Sequence, residues 1–321
     1  MSWLASGSEA FELVGTYQVQ SSRKRVASSV RGEFLRGPEL LDAAIMNDDL
    51  SADPRWSGRG AVRLRAASIT ARTGLFQSEP DVLYKKQYFE AAPGQHDMVA
   101  DIVDVYKSAA LWRVRREYAR RVFRTGVFER LEARVSALPL TIANEYYCHE
   151  AGHLLGIPVE EKHAAGYFRD HGKLAWPRVY VEELRADLHS FGKALALLTI
   201  EQAGAALLYN MALRFGLEAF ALARGTGSYG AVPYLLFSVL SDIGFVRVAP
   251  GPTLDVPDMS DAALREALRE CDEHANDELT ACELGGSLVE VATRANEYFA
   301  ERASNTGRAG TYLSLIVSAA T

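Results

Sequence analysis

The feature that most limits how this chain can fold is the point where its hydrophobic period changes. In the first hundred residues apolar and polar side chains alternate: Phe11, Leu13, Tyr17 and Val19 are interleaved with Glu12, Thr16, Gln18 and Gln20. Val62, Leu64 and Ala66 alternate with Arg63 and Arg65, just after the turn-forming run Ser57-Gly58-Arg59-Gly60. A period of two is that of half-buried strands. From about Asp97 the spacing becomes three and four, as in Ile102, Val105, Tyr106, Ala109, Trp112, Tyr118 and Val122, which predicts a helix. Strands followed by helices predict an α+β protein, mainly α with a β-containing N-terminal part.

Within that frame Arg36-Gly37-Pro38 and Ala52-Asp53-Pro54 bracket a shorter helical piece. Gly126 is expected to close the helix that begins near 97, and helices are expected over 127–138 and 141–155. The stretch 156–177 reads as a long irregular loop, a lid or a binding wall. Helix resumes at 178–224 with a break, then at 229–242. A Pro-rich link precedes a helix over 261–273 capped by Ser260, and a last helix covers 284–302. The expected division is 1–96 for the β-containing part, 97–250 for a helical metal-binding core, and 251–321 for a C-terminal helical part.

Composition narrows the function classes. A net charge of −6 over 321 residues argues against a nucleic-acid partner, although the helix around 107–124 is rich in Lys and Arg. Those cations are expected to face solvent and to pair with acidic residues. The cysteines Cys148, Cys271 and Cys282 are too few for a disulfide framework and suit a reducing cytoplasm. The N-terminus lacks the pattern of a signal peptide. No membrane span is expected, because the most apolar run, near 194–222, is broken by Glu201, Gln202, Asn210, Arg214 and Glu218.

The chemistry is concentrated in His149-Glu150-Ala151-Gly152-His153, an H-E-x-x-H pentapeptide. Residues four apart share one face of a helix, so both imidazoles can reach a common metal, and neutral imidazole suits Zn²⁺. Glu150 is placed to take a proton from a water that zinc activates. Catalytic zinc keeps three protein ligands and one open position. The third ligand is expected about thirty residues on, in Val181-Glu182-Glu183-Leu184-Arg185-Ala186-Asp187, where Glu183 and Asp187 share a helical face. Glu183 would bind the metal and Asp187 would accept the outer N–H of a ligand histidine. Glu182 lies about a hundred degrees round the helix and is expected to bond elsewhere in the site.

H-E-x-x-H followed by a Glu with an acidic residue four later resembles the zinc motifs of the gluzincin metallopeptidases, the thermolysin-like group. The string Glu182-Glu183-Leu184-Arg185-Ala186-Asp187 is similar to E-E-C-R-A-E, the second zinc motif of the dipeptidyl peptidase III family. The resemblance implies a zincin-like helical core, His149, His153 and Glu183 as ligands, Glu150 as general base and Asp187 as the outer-shell acid. It also sets Tyr229 where that family carries a histidine that stabilises the transition state. Two departures stand out: the family's first motif has one more residue between its histidines, and this chain is far shorter, with no counterpart of the remaining lobe. Dipeptide release is therefore not carried over. The metzincin pattern fails because Val159 occupies the position of its third histidine.

The expected activity is hydrolysis of an amide bond in a peptide or a small amide-containing substrate. The alternatives are a biosynthetic enzyme using the same zinc for other chemistry, and a non-catalytic metal-binding interaction protein. Tyr229, Tyr209 and Arg185 are candidate donors to an oxyanion. His163 and His171 are expected at the surface, His189 in a structural role, and Cys148 off the ligand face. No feature of the sequence dictates an oligomeric state.

Overall fold

The computed structural model describes residues 8–18, 25–77, 82–83, 102–138, 140–223, 230–251, 253–302 and 308–320. Its N-terminal part is a five-stranded sheet in the order β1-β2-β3-β5-β4. The strands are β1 (Ser8–Gln18), β2 (Arg25–Leu35), β3 (Arg65–Thr73), β4 (Val82–Leu83) and β5 (Ile102–Asp104). β1, β2 and β3 pair antiparallel, β3 and β5 parallel, and β4 and β5 antiparallel. Alternation gives this sheet an apolar face, where Phe11 stacks on Phe34 and Val30, Phe34, Ala67, Phe76 and Ile102 form a small core. The helix expected after Pro38 is α1 (Ala43–Ala52), started by the Asp42 side chain accepting the Ile45 N–H.

Two readings of this region are corrected. Val62 and Leu64 are buried but precede β3, whose regular pairing runs from Arg65. Residues 102–104 form a strand, and the helix α2 (Val105–Val122) begins only after them. A buried Ile102-Val103 pair fits either period, and pairing with β3 decides it. Asp104 caps α2 by accepting the Lys107 N–H.

The helical part continues with α3 (Thr125–Ala137), α4 (Thr141–Gly152), α5 (Val159–Ala164), α6 (Trp176–Leu197), α7 (Ile200–Ala212), α8 (Ala219–Ala223) and α9 (Val232–Asp242). It ends with α10 (Asp261–Ala275), α11 (Ala281–Gly285), α12 (Leu288–Arg302) and α13 (Arg308–Ala320). Gly126 lies in the first turn of α3, so it does not close α2, which stops at Val122. The stretch 156–177 is not one irregular loop: it holds α5 and a short hairpin of β6 (Arg169–Asp170) and β7 (Lys173–Leu174). The link before α10 contains a second hairpin, β8 (Arg247–Ala249) and β9 (Thr253–Asp255). Ser260 caps α10 as expected, through the Ala263 N–H. The helix expected at 284 begins at Leu288, and α13 follows it.

α7 passes into α8 through a π-helical turn, Leu213–Glu218. By length and composition Ile200–Ala223 does qualify as a membrane span, contrary to the sequence reading, but most of it is buried inside the protein. It is a core helix here. One large core joins residues from Leu40 to Ile316, and α4 runs through its middle. Ten of the twelve residues of α4 are buried, polar ones included, so their polar atoms depend on partners from neighbouring elements.

Candidate metal centre

Among the described residues, α4 and α6 make the most extensive helix–helix contact. Gly152 makes this possible. A Cβ there would lie 2.4 Å from the Ala186 carbonyl oxygen and 2.9 Å from its Cα, so only glycine admits the α6 backbone so closely. The other end of α4 is pinned by Asn144, which accepts the Leu41 N–H and donates to the Glu39 carbonyl. Tyr147 ties the helix to the sheet by accepting the Ala66 N–H at 3.0 Å.

His149 and His153 sit one turn apart with their rings edge to face, 4.8 Å between centroids. α4 ends at Gly152, and His153 keeps helical dihedrals as the capping residue, so the four-residue spacing still aligns the rings. Each ring is held from one side by a carboxylate on α6: His149 Nδ1 is 2.9 Å from Asp187 Oδ1, and His153 Nδ1 is 3.0 Å from Glu182 Oε1. With the Nδ1–H donated to a carboxylate, Nε2 is left with its lone pair outward. Both Nε2 atoms face Glu183, at 3.6 Å from Oε2 for His149 and 4.0 Å from Oε1 for His153. One ligand atom from each of His149, His153 and Glu183 fits within 4.8 Å of the others. Glu145, His149 and Asp187 form a second such group, on the supporting side of His149.

The surrounding charges hold this geometry in place. Arg214, in the π-helical turn, donates to both oxygens of Asp187 at 2.7 and 2.9 Å, clasps Glu218 at 2.8 Å, and lies 3.7 Å from Glu183. Burial opposes charge on Asp187, yet Arg214 and His149 hold its carboxyl well below the usual range. Burial also opposes the imidazolium of His149, but Asp187 and Glu183 raise its affinity for a proton well above the ordinary value. Glu182 stays far below the usual carboxylate range, burial being outweighed by Arg185 and Lys162. Burial pushes the Glu145 carboxyl up, and it accepts from Asn210 at 3.1 Å. Around the two imidazoles, the carboxylates of Glu182, Glu183, Asp187 and Glu283 outnumber Lys162, Arg185 and Arg214. A dication at the Nε2–Nε2–carboxylate convergence would offset that excess, and the donor set is one that Zn²⁺ accepts.

The residues singled out from the sequence divide as follows. His149, His153, Glu183 and Asp187 are brought together. Glu150 is 3% exposed on the same helix. Glu182, expected elsewhere in the site, orients His153. Tyr229 lies outside the described residues. Arg185 donates to Glu182 and to the Leu155 carbonyl, and the fully buried Tyr209 hydroxyl accepts from Arg115. His171 is exposed beside Asp170, whereas His189 is buried between Asp272 and Thr280. Cys148 is buried and burial raises its thiol pKa. On α2, Arg116 and Arg120 pair with Glu117 and Glu132 as expected of a solvated face, whereas Arg115, expected there too, is buried and donates to Tyr209. Arg214, Lys162 and Glu283 were missed. The available signal was a lone Arg in an apolar helical run and a Lys in a segment otherwise read as loop.

No family model matches the sequence, and no curated protein does. Among solved structures the chain is similar to dipeptidyl-peptidase III from Caldithrix abyssi, with a TM-score of 0.61 at 13% identity, over 98% of this chain and 59% of that one. The fold is similar to part of the fold of that dipeptidyl-peptidase III. The corresponding structure from Corallococcus sp. strain EGB gives a TM-score of 0.48 at 15% identity, covering 98% and 62% of the two chains. The chain thus spans about three-fifths of the length of the structures it matches.

Proposed function

We propose that this chain is a zinc-dependent hydrolase of amide or peptide bonds, with His149, His153 and Glu183 as metal ligands and Glu150 as general base. The observation that carries the reading is the convergence of two imidazole Nε2 atoms on the Glu183 carboxylate, each ring braced at Nδ1 by a buried acid. A structural zinc site is closed by four protein ligands, and here the described residues supply three at the convergence, in keeping with a catalytic site. Zinc held there supplies Lewis acidity, which lowers the pKa of a water and polarises a carbonyl. The protein's own residues do the rest. Asp187 and Glu182 keep the two imidazoles in the ligating tautomer, and Arg214 keeps Asp187 ionised. Glu150, next to His149 on α4, takes the proton of the attacking water and passes it to the leaving nitrogen. The similarity of fold to dipeptidyl-peptidase III supports a peptide as the substrate class, and a small amide is the second choice.

Two measurements test this. Elemental analysis of purified protein should find zinc near one ion per chain in the wild type and well below that in His153→Ala. Glu150→Gln should keep its zinc and lose about 10²–10⁴-fold in turnover of peptidyl anilides or small amides, the span attributed to a positioned acid–base group. Undiminished turnover in Glu150→Gln would remove the general-base assignment. Absence of zinc from the wild type would remove the site.

A further inference from the structure

Lys162 is completely buried and lies on α5, within the segment that follows the metal-binding helix. Its ammonium spans two carboxylates, donating to Glu182 Oε2 and Glu283 Oε1 at 2.6 Å each. Glu182 is the acid that braces His153. Its Oε1 takes His153 Nδ1 at 3.0 Å and Arg185 Nη2 at 2.7 Å, and its Oε2 takes Lys162 and, at 3.2 Å, Arg185 Nε. Arg185, three residues along the same helix and bonded to the Leu155 carbonyl just past His153, holds Glu182 from one side. Lys162 holds it from a separate element and is itself anchored by a third. That anchor is Glu283 on α11, whose other oxygen accepts the Ile157 N–H at 2.9 Å, four residues beyond His153. The same carboxylate oxygen lies 2.5 Å from where a Cβ of Gly156 would stand, and the backbone there has φ +71°. Glu283 therefore closes on the turn that leaves the histidine helix and on the lysine that holds the histidine's acid.

We infer that Lys162 and Glu283 are positioning residues for the metal: together they fix the Glu182 carboxylate that orients His153. The inference rests on the metal reading above and makes a C-terminal helix, far in sequence from the H-E-x-x-H motif, part of the support of the site. A purely structural role would leave metal affinity alone once the protein is folded. A positioning role lowers it.

The test uses the double variant Lys162→Met/Glu283→Gln. It removes one positive and one negative charge, keeps side-chain volume, and leaves Glu182 paired with Arg185, so the buried cluster stays balanced. Zinc affinity is measured by competition with a chromogenic chelator, and cobalt is substituted to read the ligand geometry from its visible spectrum. The expected result is a folded protein with zinc affinity 10–100-fold below wild type, the loss typical of outer-shell changes, and an altered cobalt spectrum. Arg55→Gln/Asp272→Asn is the control, since that pair lies two turns along α6 from Glu182, at His189, and touches neither ligand histidine. It should bind zinc as the wild type does. Wild-type affinity in the folded double variant, or an equal loss in the control, overturns the inference. Should the double variant not fold, Glu283→Gln alone is read the same way, because Gln can still accept the Ile157 N–H. Its expected loss is several-fold, and wild-type affinity in it overturns the inference. A wild-type protein that takes up no zinc is a different failure: it overturns the metal reading, and this inference with it.

Discussion

Gly152→Ala isolates the contact on which the metal centre is built. In an ordinary helix interior the change would stabilise, because alanine exceeds glycine in helix propensity by about 1 kcal/mol. Here the new Cβ would sit 2.4 Å from the Ala186 carbonyl oxygen and 2.9 Å from its Cα. Both atoms belong to the backbone of α6, so no side chain can rotate out of the way. Close carbon–oxygen approaches between backbones begin near 3.3 Å, so α4 and α6 must part by roughly 0.9 Å. Overpacking of this kind costs about 1–3 kcal/mol. Set against the propensity gain, the zinc-free protein should lose about 0–2 kcal/mol and remain folded. The metal site is far less tolerant, since ligand distances hold to within about 0.2 Å. Both imidazoles ride on α4 and Glu183 on α6, so the convergence opens and zinc affinity should fall about 10–100-fold. Urea unfolding of the zinc-free protein and chelator competition measure the two quantities separately. A variant about 1 kcal/mol more stable than wild type, with unchanged zinc affinity, would refute the close-approach reasoning.

Four further outcomes follow from the charges. Asp187→Asn should weaken zinc binding about 10–100-fold and cost the zinc-free protein about 3 kcal/mol, because the buried Arg214 loses its main counter-charge; chelator competition and urea unfolding read the two effects. Arg55 bonds both Asp53 and Asp272 with only 19% of its side chain exposed, so Arg55→Ala should cost about 3 kcal/mol in urea unfolding. Arg31→Ala breaks the exposed pair with Glu12 and should stay within about 0.5 kcal/mol. His274 carries a pH signature: burial first, and then Arg302, lowers its pKa from 6.5 to about 4. Between those values the unfolded chain holds the extra proton, so this contribution is complete above pH 6.5 and is lost as the pH falls toward 4. The urea midpoint should therefore decline less between pH 7 and pH 4.5 in His274→Gln than in wild type, and equal declines would count against the assignment.

Much of the fold could be read locally. The two periodicities separate sheet from helices, and Ser260 caps α10 where capping rules put it. The failures are equally local in origin. Gly126 looks like a helix stop, but at the first turn of α3 it costs that helix little, and a Cβ there would meet nothing within 4 Å. Ile102 and Val103 fit either period, and only the neighbouring strand settles them. The stretch 156–177 is polar and short-segmented, so α5 leaves little periodic trace, and its buried Lys162 reads as a surface residue until its two carboxylates are in view.

The sequence by itself determined the ligand geometry within each helix. Four-residue spacing puts His149 over His153 and Glu183 over Asp187, and that follows from helical pitch alone. How the two helices meet was decided by the tertiary structure. Angular position on an isolated helix turns Glu182 away from Glu183, yet α6 is buried on nearly every side, so both have partners, and Glu182 reaches His153. Arg214 joins the site from an apolar run through a π-helical turn, and Glu283 reaches Lys162 across 121 residues of chain. Such pairings depend on helix crossings and on where compensating charges can be buried together. Local spacing encodes neither, and Gly152 shows its purpose only once α6 lies against it.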